Sequence, residues 1–201
     1  MQQIAESFAV PRMRALDRRP APCDAPGMIL IGIGASLPAP DGSAPRETCM
    51  AAARALAALP GLRLEALSRW WESAPIPPMA GAPWFVNGVA RLEGEMPPEA
   101  LLAALQGIEA RFGRQRPFPN APRTLDLDLL DHHGLVMDTP VLSLPHPRMT
   151  GRAFVLLPLA EVAPGWTHPA TGAALDGLLA ALPPQELRPM APLPGASPLQ
   201  G

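Results

Sequence analysis

Cysteine is scarce in this 201-residue chain, which has Cys23 and Cys49 and no Cys-x-x-Cys pair. That excludes a disulfide framework. With no thiolate near the adjacent His132 and His133, no zinc pattern forms either. A reducing cytoplasm is the compartment this cysteine usage fits. Charge of one sign is lacking too: 16 Lys and Arg against 18 Asp and Glu leave a net charge of -2. The basic excess of a nonspecific nucleic-acid binder is therefore missing. The longest apolar runs, residues 28–33 and 154–160, are too short to span a bilayer. No internal repeat is evident, so no solenoid or array is indicated.

What is present suits one domain. A hydrophobic content of 48% is ample for a core, and the length fits a single domain with tails. The 29 prolines gather at both ends and in one central loop. Residues 1–27 mix Arg12, Arg14, Arg18 and Arg19 with Glu6, Asp17 and Asp24, and lack the apolar core of a secretory signal. They are read as a disordered leader, residues 28–182 as the domain, and residues 183–201 as a proline-rich flexible tail.

Within the domain, residues 28–34 form a buried apolar run ending in glycine, which predicts a strand. Residues 46–59 are alanine-rich with leucines at helical spacing, and Pro60-Gly61 stops that helix. One strand is predicted over 62–71, a proline-rich loop over 74–83, and an alternating strand over 84–92. Pro97 and Pro98 open a helix that Gly113 closes. A loop over 114–121 then leads into a further strand. Short outer strands are expected near Val136 and over 141–144, and helices over 151–162 and 175–182. Strand, helix, strand, strand, helix, strand is the order of a ferredoxin-like sandwich, an α+β fold with an antiparallel central sheet.

The most informative stretch is Ala121-Pro122-Arg123-Thr124-Leu125-Asp126-Leu127-Asp128-Leu129-Leu130. Strict alternation sends Leu125, Leu127 and Leu129 to one face of a strand and Asp126 and Asp128 to the other. The two carboxylates then lie roughly 7 Å apart at the usual strand rise. Two readings follow: a solvated acidic face, or a seat for one or two magnesium ions that also hold substrate phosphates. Arg123 adds a cation suited to bidentate phosphate contact.

The complete string resembles the signature of the 6-hydroxymethyl-7,8-dihydropterin pyrophosphokinase family. Further stretches resemble that family in the same order: Gly34-Ala35-Ser36-Leu37, Ser73-Ala74-Pro75-Ile76, Pro83-Trp84-Phe85-Val86-Asn87, Gly113-Arg114-Gln115-Arg116, Leu144-Pro145-His146-Pro147-Arg148-Met149 and Gly151-Arg152-Ala153-Phe154-Val155-Leu156. The resemblance covers roughly residues 28–164 and implies transfer of pyrophosphate from ATP to the dihydropterin hydroxymethyl group in folate biosynthesis, leaving AMP. It implies two magnesium ions on Asp126 and Asp128, with Arg114 and Arg123 as catalytic phosphate clamps. Ser73, Ala74, Ile76, Phe85, Asn87 and Phe154 fall at pterin positions. Gln106, Arg116, Leu129, Ser143, His146 and Arg152 fall at nucleotide positions.

There are departures. The arginine loop carries Phe118 where some members have a tryptophan that caps the pterin. Asp131 stands where an apolar or aromatic residue is usual, and is read as a solvated turn residue. The partners implied are small molecules, without nucleic acid, membrane or an obligate protein. Two other readings are a non-catalytic ferredoxin-like module with a merely superficial acidic pair, and a degenerate member that binds without reacting.

Overall fold

The computed structural model describes residues 27–78, 81–114 and 122–191. Its elements are β1 (Ile29–Ala35), α1 (Pro45–Ala57), β2 (Leu62–Leu67), β3 (Trp71–Ser73), β4 (Phe85–Gly94), α2 (Pro98–Arg111), β5 (Asp126–His132), β6 (Met137–Asp138), β7 (Ser143–Leu144), α3 (Ala153–Val162), α4 (Leu175–Ala180) and β8 (Leu187–Pro189). One antiparallel sheet runs β5-β1-β4-β3-β8, with β2 pairing the other half of β4. Helices pack on this sheet, the α+β sandwich that the element order predicts.

The helices start where local chemistry lets them. Pro45 opens α1, and the Glu47 carboxylate accepts the Ala44 N–H at 2.9 Å, which satisfies a donor the helix cannot. Pro98 opens α2, with Glu99 in its first turn and Arg111 in its last, both favourable to the helix dipole.

Period two sorts β1 into two chemistries. Ile29, Ile31, Ile33 and Ala35 join Leu92, Leu127 and Leu129 in the core beneath α1 and α2. Leu30 faces the other way and packs with Val89 and Leu130 against Val155, Leu156 and Leu159 of α3. Gly32 and Gly34 follow Leu30 on that second face by the same alternation. Beyond the end that α3 covers, the sheet therefore presents backbone to a groove.

Three sequence expectations are corrected. Residues 62–71 form two strands rather than one, because the chain breaks at Ser68–Trp70 to serve both halves of β4. There the Ser68 hydroxyl accepts the Val89 N–H at 2.9 Å. The Trp70 ring lies over Gly88, where an added Cβ would come within 2.6 Å of it.

Asp131 is buried rather than solvated. A register shift between Leu30 and Ile31 of β1 lets β5 bulge at Leu130, which places Asp131 opposite Leu30 on the α3 face. There its carboxylate accepts the Trp166 indole N–H at 2.6 Å and the Gly134 N–H at 2.9 Å.

The tail is structured over residues 187–189, where β8 adds to the edge of β3. The predicted outer strands are β6 and β7, which form a separate ribbon. Among the described residues no helix is long and apolar enough to cross a membrane.

Candidate active site

β5 is the edge strand beside β1, and its register sets the groove. Asp126 lies opposite Gly34 and Asp128 opposite Gly32. Across β1, Asn87 of β4 also lies opposite Gly34. Asn87, Gly34 and Asp126 thus form one row across the sheet. Its ends are roughly 10 Å apart, two strand spacings, with no side chain between. A Cβ on Gly34 would sit 3.2 Å from Asn87 Oδ1.

Asp126 is held from two sides. Arg123 Nη1 reaches its Oδ2 at 2.8 Å, and Arg114 Nη2 its Oδ1 at 2.6 Å. Arg114 also pairs with Glu109, and Glu109 Oε1 accepts the Leu127 N–H of β5 at 2.7 Å. The Arg114 and Glu109 side chains are only 7% and 4% exposed. Glu109 thus satisfies an amide at the sheet edge and, through Arg114, fixes the carboxylate beside it.

The resemblance offered Arg114 as a phosphate clamp. In the structure its side chain is buried and pairs with Glu109 and Asp126. Sequence reasoning missed Glu109. The signal was an acid on the stripe of α2 shared by Leu101, Leu105 and Ile108. Arg123 is set by Ser36, whose N–H donates to the Arg123 carbonyl at 2.9 Å and whose hydroxyl accepts the Arg123 N–H at 3.1 Å.

Asp128 is looser. Its Oδ2 lies 3.9 Å from His146 Nε2 and 4.0 Å from Arg152 Nη1. The His146 N–H donates to the Leu130 carbonyl at 2.8 Å, which docks this loop on the edge of β5. His146 Nδ1 accepts the Arg148 N–H at 3.2 Å, so the neutral ring carries its proton on Nε2, toward Asp128. Burial pushes the His146 ring below its ordinary pKa, with Asp128 opposing and Arg152 and Arg148 reinforcing. Burial likewise lowers Arg152, whose guanidinium stands 5.4 Å from the Phe154 ring.

At the other end of the row, Asn87 Nδ2 donates to the Ser73 hydroxyl at 2.9 Å, and both residues are buried. Phe85 and Phe154 are half-buried, as is Ala74, while Ile76 is 49% exposed.

Other predicted positions fall elsewhere. The Leu129 side chain lies in the core beneath α1 and α2, on the face away from the aspartates. The Ser143 hydroxyl donates to Asp138 within the β6–β7 ribbon. Gln106 is exposed on α2. Arg116 and Phe118 lie outside the described residues.

A model of the family described as 7,8-dihydro-6-hydroxymethylpterin-pyrophosphokinase (HPPK) matches residues 30–164. The chain belongs to this family. A 2-amino-4-hydroxy-6-hydroxymethyldihydropteridine pyrophosphokinase of Pseudomonas aeruginosa is 44% identical over 155 residues, covering 77% of this chain and 91% of the relative. A protein of the same name from Synechocystis is 38% identical over 137 residues, covering 68% and 69%.

Among solved structures, an HPPK-DHPS in complex with substrates superposes with a TM-score of 0.56 at 13% identity. It covers 78% of this chain and 43% of that longer one. That likeness establishes the pyrophosphokinase fold alone. The family match holds β5, its aspartates and all of α3, and ends before α4 and β8.

Proposed function

We propose that this chain transfers a pyrophosphoryl group from ATP to the hydroxymethyl group of 6-hydroxymethyl-7,8-dihydropterin, leaving AMP. The substrates are small molecules, and the setting is the cytoplasm. The observation that carries this reading is the row Asn87–Gly34–Asp126. It sets a buried amide, suited to a heterocycle edge, one glycine-floored gap away from a carboxylate flanked by arginines.

Magnesium fits the donor set. Asp126 and Asp128 supply hard oxygens from one face of one strand, and the described residues hold no cluster of three or more His, Cys, Asp or Glu that would cage a metal. Two carboxylates completed by phosphate oxygens are what magnesium accepts. When bound there, the ion would neutralise charge on the transferring phosphates.

The chain's own residues bind and orient. Asn87, itself oriented by Ser73, presents its amide to the pterin edge. Phe85 and Phe154 offer ring faces for stacking. Arg123, Arg152 and His146 place donors around the phosphates, where charge develops in the transition state. Glu109 and Arg114 keep Asp126 in one rotamer, so that the hydroxyl and the β-phosphorus meet in line.

The test is AMP formation from ATP with and without the pterin, in magnesium and in chelator. Pterin-dependent AMP that chelator abolishes supports the reading. Pterin binding without AMP would make this a degenerate member, and absence of both would refute the proposal.

A further inference from the structure

The segment after α4 makes bonds that no motif assigns. Gln185 is half-buried; its Oε1 accepts the Ala153 N–H at 2.9 Å, and its Nε2 donates to the Gly151 carbonyl at 3.0 Å. The next residue, Glu186, accepts the Ala74 N–H on its carbonyl at 2.9 Å. Leu187 then pairs with Ser73, and Arg188 with Glu72. The Arg188 guanidinium also binds the Glu72 carboxylate at 2.8 Å and stands 5.1 Å from the Trp84 ring.

Consecutive residues thus grip two separate elements. One is the first turn of α3. Its N-cap residue, Arg152, makes no side-chain cap, yet the opening amides of a helix need acceptors. Gln185, 32 residues along the chain, supplies one. The other is the end of β3 and the loop that follows it. Everything gripped adjoins the pterin half of the groove. Ala153 lies between Arg152 and Phe154, Ala74 follows Ser73, and Trp84 precedes Phe85.

We infer that residues 185–188 are a strap fixing the separation of the two pterin walls, with Gln185 the positioning residue that sets Phe154 against Ser73 and Asn87. This rests on the assignment of those side chains to the pterin made under the proposed function. The strap lies beyond the stretch that the family model matches. Gln185 touches no reacting atom; it acts through the direction of α3 and the placement of Phe154.

The experiment compares full-length wild type with Gln185→Ala, Gln185→Glu, Gln185→Asn and Asn87→Ala by pterin KM, kcat and melting temperature. Gln185→Ala removes both bonds and is expected to raise the pterin KM about tenfold, while kcat holds within about twofold. Gln185→Glu keeps an acceptor for the Ala153 amide but turns an oxygen toward the Gly151 carbonyl, so it is expected to recover only part of that loss. Gln185→Asn keeps the amide but falls short by one methylene, so it should resemble alanine, and it carries the test if the alanine variant does not fold.

A lower melting temperature with unchanged pterin KM in Gln185→Ala overturns the inference, because the strap would then be only structural. If Asn87→Ala leaves the pterin KM unchanged as well, the error lies in the pterin site itself and the strap falls with it. An Asn87 effect without a Gln185 effect confines the failure to the strap.

Discussion

The two faces of the central sheet have the same strands and opposite purposes. Under α1 and α2, Ile29, Ile31 and Ile33 lie beside Leu127 and Leu129 in a closed apolar layer. On the other face α3 covers only the part around Leu30, Val89 and Leu130. The rest is floored by Gly32 and Gly34 and rimmed by Asp126, Asp128 and Asn87. β1 therefore spends one set of alternate positions on cohesion and the other on making room. Because the side-chain period is two, neither set constrains the other. Stability and chemistry should separate residue by residue along β5.

Asp128 and Leu127 are the sharpest pair. Asp128 makes no contact closer than 3.9 Å among its ion pairs. Asp128→Ala is expected to leave the fold within about 1 kcal/mol of wild type, as for weak surface pairs. AMP formation should fall about 10³-fold, the scale of losing a transition-state charge contact. A melt beside a turnover assay checks both, and turnover within tenfold of wild type would remove Asp128 from the machinery.

Leu127→Ala should do the reverse. The side chain is 4% exposed in the apolar layer, and its truncation is expected to cost about 2–5 kcal/mol of unfolding free energy. The pterin and ATP KM values should stay within about twofold of wild type. Denaturant titration gives the first quantity and initial rates the second. A large KM change with little lost stability would show that the two faces are not independent.

Glu109 is where the separation should fail. It belongs to α2 on the apolar side, yet it binds the Leu127 amide and Arg114, and through Arg114 it reaches Asp126. Glu109→Gln keeps an acceptor for the amide and loses the charge opposite a buried guanidinium. The expected cost is about 2 kcal/mol, the range for a hydrogen bond to a charged group. Turnover should fall along with stability, since Arg114 no longer holds Asp126 in place. A variant that loses stability but keeps wild-type kcat would reduce Glu109 to a structural anchor.

The sequence made the strands that line the groove legible, because alternation around Asp126 and Asp128 and the glycines of β1 are local patterns. What escaped depends on partners distant in the chain. Residues 62–71 have strand character throughout, but only β4 decides that β2 and β3 pair with different halves of it. Asp131 changes face because of a bulge, and a bulge shifts register without altering composition.

Residues 187–189 lie in a proline-rich stretch, which argues for disorder. Yet Pro189 sits on an edge strand, where a missing N–H costs no ladder bond. Arg114 looked like a free loop cation because its counter-charge, Glu109, was hidden among the leucines of a helix. Leu129 was assigned by position in a motif, and strict alternation already placed it in the core.

The finest probe of the open face is its floor. Gly34→Ala adds one methyl 3.2 Å from Asn87 Oδ1 and 4.0 Å from Asp126 Cβ. The first contact is tighter than ordinary van der Waals spacing, so the Asn87 amide must shift. Its bond to Ser73 gives it little freedom to do so. The backbone here is ordinary strand, so alanine meets no conformational penalty, and the stability change should stay below about 1 kcal/mol. The same methyl occupies the gap between the amide and the carboxylate, which the proposed substrate would bridge. The pterin KM is expected to rise about tenfold, or about 1.4 kcal/mol. The ATP KM should move less, because Asp126 is farther from the methyl than Asn87 is. Equal changes in both KM values would mean that the pterin does not lie along the Asn87–Gly34–Asp126 row. No change in either would mean that the groove floor is not a binding surface.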